Sequence, residues 1–105
     1  MKKEDFSIMS NVKTIENLKS QLLYVIADFF GLLTKGSNVA QETMLHCISS
    51  GIIIFYMLAD KLGYSYITVD ESIKKNLKVG IKENDKLEKN DKSLSRLHSH
   101  ISDRN

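Results

Sequence analysis

The chain has 105 residues, enough for one domain around one core, and 42 % of them are apolar, which argues against wholesale disorder. With 15 basic and 13 acidic residues the net charge is +2, so the balance gives no case for nucleic acid or an anionic membrane as a partner. A single cysteine excludes an internal disulfide and fits a reducing, cytoplasmic setting of bacterial type.

Residues 1–10 predict a polar arm, loosely ordered unless Phe6 and Ile8 dock on the core. Its basic start is followed at once by Glu4 and Asp5 with no apolar stretch, so it does not read as a secretory signal. A first helix is predicted over 12–35, capped by Ser10 or Asn11, whose side-chain oxygens can accept from free amides of the first turn. Ile15, Leu18, Leu22, Val25, Ile26, Phe29 and Leu33 recur at helical spacing and define its apolar stripe. Gly36 is the predicted stop. The short Gly36-Ser37-Asn38 turn then folds the next helix back antiparallel.

A second helix is predicted over 39–62, with Asn38 and Gln41 as a capping box and Gly63 as its stop. Leu45, Ile48, Ile52, Phe55, Ala59 and Leu62 share one face at three- and four-residue spacing, and Ile53, Ile54, Met57 and Leu58 make the middle apolar on most sides. One partner helix covers only one face. The remainder predicts a subunit interface through Ile52, Phe55, Tyr56 and Ala59, in a homodimer or tetramer. The longest apolar run, 51–59, is about half of what a membrane span needs, so no membrane partner is expected.

A third helix is predicted over 69–79, with Thr68 and Glu71 as a capping box, Val69, Ile73 and Leu77 inward and Gly80 as its end. Residues 82–92 mix four Lys with four acids and one apolar residue, Leu87, and read as a solvated linker or exposed helix. A short last helix over 93–101 puts Leu94, Leu97 and Ile101 on one side. The predicted fold is all-α: an antiparallel helical hairpin plus a third helix and a short C-terminal helix, in an oligomeric bundle. Its divisions are an arm at 1–10, a helical domain at 11–80, and a charged linker with the last helix at 81–105.

Residues 58–63 spell LADKLG after a long apolar helix, itself preceded by a long helix and a Lys-Gly turn and followed by a helix starting near Thr68. In order and spacing this resembles the MazG-like, all-α nucleotide pyrophosphohydrolases over about residues 15–76. The resemblance implies carboxylates in an EExxE pattern on the first helix and ExxD on the second, holding Mg²⁺ that bridges to substrate phosphates. Here the first set falls near Tyr24, Val25 and Asp28, and the second on Cys47 and Ser50. Only Asp28 keeps a carboxylate, and a thiol is a poor ligand for a hard cation. The resemblance thus implies the family's scaffold with a doubtful reaction: no cofactor is expected, or Mg²⁺ if activity survives.

Asp28 is a vestigial ligand, an acid facing His46, or a partly exposed acid at the edge of the stripe. His46 and Cys47, adjacent on a helix, point about 100° apart and read as unshared, with Cys47 a small buried hydrophobe. His98 and His100 lack a third ligand for zinc. Ser49, Ser50 and Gly51 leave room either for a base or ribose or for close helix approach. Asp60 and Lys61 read as the solvated edge of their helix. Lys75 and Lys78 could meet phosphates or simply form a charged face. Three functions fit: a degenerate, non-catalytic relative that retains nucleotide or protein binding; an active Mg²⁺-dependent nucleoside triphosphate pyrophosphohydrolase using Asp28 with acids such as Glu42 or Asp60; or a helical protein-interaction module.

Overall fold

The computed structural model describes residues 3–83 and 86–104, the side chains of 3–10 apart. Five α-helices follow one another: α1 (Lys3–Lys35), α2 (Gln41–Lys61), α3 (Tyr66–Lys82), α4 (Lys86–Asp91) and α5 (Ser93–Asp103). No strand occurs among the described residues, and the fold is all-α as the periodicity predicts. The chain forms two compact units, Met1–Tyr64 and Ser65–Asn105.

The first unit is the α1–α2 hairpin. α1 starts at Lys3, not near Val12. No Pro or Gly interrupts the residues before Ser10, so nothing stops the helix from propagating through them. The docking of Phe6 and Ile8 concerns side chains outside the described residues. Asn11 does not cap α1. Its Nδ2 donates instead to the Lys61 carbonyl at 3.4 Å, tying α1 to the far end of α2. At the turn, Gly36 takes φ 63°, as a helix stop requires, and opens a 3₁₀ turn over Gly36–Asn38. The N-cap of α2 is Ala40 without a side-chain bond, so the Asn38–Gln41 box does not form.

The helices meet along two rows with alternating three- and four-residue steps. On α1 the half-buried row is Ile15, Leu18, Leu22, Val25, Phe29 and Leu32; on α2 it is Met44, Cys47, Gly51, Ile54, Leu58 and Lys61. This corrects the expected faces. Leu33, not Leu32, was assigned inward, and on α2 the expected face of Leu45, Ile48, Ile52, Phe55 and Leu62 is exposed. The true seam lies one residue earlier. In this seam Val25 packs over the small Cys47–Gly51 strip, where a Cβ added to Gly51 would make ordinary van der Waals contact with Val25 Cγ1 at 3.7 Å. Ile54, buried in this seam, contributes on the order of 1.5–3 kcal/mol by leaving water.

α2 ends in a Schellman motif. Gly63 adopts φ 95°, its N–H donates to the Asp60 carbonyl at 3.0 Å, and the Tyr64 N–H donates to the Ala59 carbonyl at 2.9 Å. The LADKLG segment is therefore a complete helix stop. By length and composition alone α2 is apolar enough to cross a membrane, which the run over 51–59 did not suggest, and only 11 % of that stretch is buried. Ser49 and Ser50 interrupt the apolar run without adding charge.

In the second unit Ser65, not Thr68, caps α3: its Oγ accepts from the Thr68 N–H at 3.1 Å. Glu71 pairs instead with Lys74 at 2.8 Å. Val69, Ile73 and Leu77 turn inward as expected. Gly80 does not end α3, which runs on to Lys82, because the glycine serves a close approach: a Cβ there would lie 2.8 Å from Leu94 Cδ1 of α5. Leu94 and the buried Ile101 pack inward, whereas Leu97 is exposed. The stretch expected as a linker or an exposed helix holds the helix α4, with Asn84 and Asp85 outside the described residues.

The first turn of α5 has borrowed caps. Its N-cap residue Lys92 sits at φ 58° and offers no side-chain bond. Asp91 Oδ1 accepts from the Ser93 N–H at 3.1 Å, and Glu88 Oε1 from the Ser95 N–H at 3.0 Å. The hydroxyls of Ser93 and Ser95 donate to the same two carboxylates. At the other end Arg104 Nη2 donates to Asp70 Oδ1 at 3.0 Å, pinning α5 to α3.

Candidate functional site

Because α1 and α2 run antiparallel, stepping back one residue from the seam turns both helices about 100° toward the same side of the hairpin. On α1 that row carries Asp28, Gly31 and Lys35; on α2 it carries Thr43, His46 and Ser50. These six, with Val25, Ala27, Leu32 and Cys47, line one groove of about 420 Å³, a volume in the range of small-ligand sites. Of the positions that the resemblance assigned to carboxylates, Val25, Asp28, Cys47 and Ser50 converge here, and Tyr24 does not.

Asp28 is exposed in this groove, as is His46, while Cys47 is buried. The Cys47 thiol donates to the Val25 carbonyl at 3.3 Å. His46 and Cys47 line the same groove despite their angular separation, but the thiol is turned toward α1. Lys35, Thr43 and Gly31 were not singled out from the sequence. Their signal was available in register: Asp28, Gly31 and Lys35 repeat at three and four residues, as do Thr43, His46 and Ser50.

The donor set does not fit the Mg²⁺ that the resemblance implies. Mg²⁺ favours hard oxygen ligands with compensating negative charge. Here one carboxylate shares the groove with a lysine, a histidine, a thiol and two hydroxyls, so the groove has no net negative charge for a dication. Among the described residues no three His, Cys, Asp or Glu side chains cluster as a metal site. Glu42 and Asp60 do not line the groove, and Asp60 pairs with Lys61 at 3.6 Å.

Within the second unit, Lys75 and Lys78 line a separate groove of about 430 Å³ with Glu71, Lys74, His98 and Ser102. His98 Nε2 is buried there without a hydrogen-bond partner. His100 does not join it, so the two histidines do not converge. Of the residues expected at a subunit interface, Ile52 and Phe55 are exposed, and Tyr56 and Ala59 half-buried.

Comparison with known proteins adds one positive finding. A sequence profile of the MazG-like family matches residues 8–94, most of the chain and parts of both compact units. No curated protein and no solved structure matches the chain.

Proposed function

The chain belongs to the MazG-like family, and from that premise we propose that it is a degenerate, non-catalytic relative of the nucleotide pyrophosphohydrolases that binds a nucleotide or a protein segment in the groove around Asp28. The observation that carries the reading is the convergence of Val25, Asp28, Cys47 and Ser50 in one groove. Four of the five positions that the resemblance assigns to carboxylates line this groove, and among them only Asp28 supplies a carboxylate.

What remains suits binding better than hydrolysis. Asp28, Lys35, Thr43, His46 and Ser50 offer donors and acceptors of both signs beside apolar Val25, Ala27 and Leu32, the mixture typical of small-molecule sites. Thr43 and Ser50 are suited to ribose hydroxyls or the polar edge of a base, and Lys35 to a phosphate. Lys74, Lys75 and Lys78 give the groove of the second unit a cationic side of the same character. An active enzyme would need further carboxylates, and Glu42 and Asp60 lie outside this groove.

Thermal melting with and without nucleoside triphosphates, paired with an assay for released pyrophosphate, tests the reading. A ligand of the native state raises stability by mass action. The expected result is a higher melting temperature at millimolar nucleotide, abolished by Ser50→Trp, with no pyrophosphate released. Turnover that Asp28→Asn removes overturns the reading. Absence of any shift overturns nucleotide binding and leaves the protein segment as the ligand.

A further inference from the structure

The second unit holds a groove whose charge the described residues do not balance. On α3, Lys74, Lys75 and Lys78 follow Glu71 at helical spacing, so one face of the helix carries all four. On α5, His98 and Ser102 stand about one turn apart and line the same groove of about 430 Å³. Ile73 and Leu77 on α3 and Ile101 on α5, each next in sequence to a groove residue, pack inward, so both helix faces rest on the core of the unit.

Three lysines against one glutamate leave the groove at +2 before His98 is counted. Glu71 is taken up by Lys74 at 2.8 Å. Lys75 and Lys78 have no acidic partner within ion-pair distance among the described residues, and both are exposed. Two such lysines alone describe a solvated helix face. His98 sets this face apart, because its Nε2 is buried without a hydrogen-bond partner. Native proteins leave few buried polar atoms unpaired, since each forfeits its hydration.

The chemistry of the lining selects the ligand. Water would satisfy Nε2 and leave both lysine charges unmatched. A metal cation would be repelled by them. An anion answers both needs, accepting from Nε2–H and from the two ammonium groups while offsetting their charge. A carboxylate brings one charge and two oxygens. A phosphoryl group brings about −1.5 to −2 and three strong acceptor oxygens, which matches the charge of the groove and the donors of Lys75, Lys78, His98 and Ser102. Rotamer changes of the long side chains beside the ring, common on binding, open Nε2 to it.

We propose that the α3–α5 groove binds a single phosphoryl group, as free phosphate or a small phosphate monoester, held without a metal by Lys75, Lys78, His98 and Ser102. All four residues belong to the second unit, and occupancy of the site does not depend on what the Asp28 groove binds.

NMR titration of the full chain at fixed pH, following the histidine ring signals, tests it with inorganic phosphate, with glycerol phosphate, and with sodium chloride at equal ionic strength. Phosphate or the ester is expected to shift the His98 ring saturably, with half-saturation at or below about 1 mM, and chloride is not. The tighter of the two identifies the source. Changing Lys75→Gln and Lys78→Gln together should weaken binding at least about tenfold, the loss typical of hydrogen bonds to charged groups. His98→Ala, read from the phosphorus signal of the ligand, should weaken it similarly, and His98→Gln, which keeps a donor near Nε2, should recover part of it. Lys82→Gln removes a charge from the same helix outside the groove and should leave the affinity unchanged. Because Lys75 and Lys78 are exposed, their removal decides the outcome even where a change at His98 disturbs folding. Shifts at His98 that rise linearly, or equally in chloride, overturn the proposal. So do saturable shifts at His46 and not at His98, which would put phosphate in the Asp28 groove, or a loss from Lys82→Gln as large as that from the double lysine change.

Discussion

The thiol of Cys47 on α2 donates to the backbone carbonyl of Val25 on α1 at 3.3 Å, joining two positions at which the MazG-like resemblance expects carboxylates. With Gly51, whose added Cβ would lie 3.7 Å from Val25 Cγ1, the contact seats Val25 over small residues of α2, so that one of these positions holds an apolar side chain and the other a small thiol satisfied by a main-chain acceptor.

This contact should make position 47 intolerant of the acid that the resemblance implies there. Cys47→Ala should cost about 1 kcal/mol, the lost packing and weak hydrogen bond together. Cys47→Glu would bury a carboxylate against a carbonyl oxygen and should cost about 3 kcal/mol or more. Urea unfolding of both variants checks this; a Glu variant as stable as the wild type would mean that the site is wetter and looser than the geometry states.

The α3–α5 approach at Gly80 gives a graded prediction. Gly80→Ala gains helix propensity of about 0.8–1 kcal/mol but must push aside the Leu94 methyl, which lies 2.8 Å from the new Cβ. The two effects should nearly cancel, since Leu94 Cδ1 is the end of a movable side chain. Gly80→Val adds branching at the same place and should destabilise by about 1–3 kcal/mol. Thermal melts of the pair, with Leu94→Ala as a rescuing second change, read out the clash. Equal stability of all three would place α5 farther from α3.

Acid should loosen the start of α5 before it affects the hairpin. The Ser95 hydroxyl, then its N–H and the Lys92 charge, hold the Glu88 carboxyl below the usual carboxylate range against a smaller opposing desolvation. Ser93 first, with Arg96, does the same for Asp91. With both folded pKa values depressed, the unfolded chain takes up protons first. The capping contribution is therefore complete above the ordinary carboxylate pKa and is lost as pH falls through the depressed folded values. Amide exchange at Ser93 and Ser95 should accelerate across that acid window in the wild type. In Glu88→Gln the acid-dependent part at Ser95 should vanish, and an unchanged profile would refute the role of Glu88.

The helices and their stops were readable because the chain has no proline and its apolar residues recur at helical spacing; Gly36 and Gly63 stand at left-handed φ as stops should. The inward row of α2 was not readable by periodicity. Two adjacent rows are almost equally apolar, and periodicity alone does not choose between them; the structure seats the smaller Cys47 and Gly51 against Val25 and leaves Ile52 and Phe55 exposed. Gly80 misled for a related reason, since its small size is set by Leu94, fourteen positions on and in another helix. At the groove, Asp28 and Ser50 could be singled out one at a time. Lys35 and Thr43 emerge only once the antiparallel register brings the two helix rows to one side.

The most direct test of the proposed loss of chemistry is pyrophosphate release from a panel of nucleoside triphosphates with Mg²⁺, measured on the wild type and on Asp28→Asn. With Asp28 the single carboxylate in the groove, both proteins should release pyrophosphate at the rate of the no-protein control. Turnover by the wild type that Asp28→Asn abolishes would contradict the account and place a working metal site where the groove offers one acid.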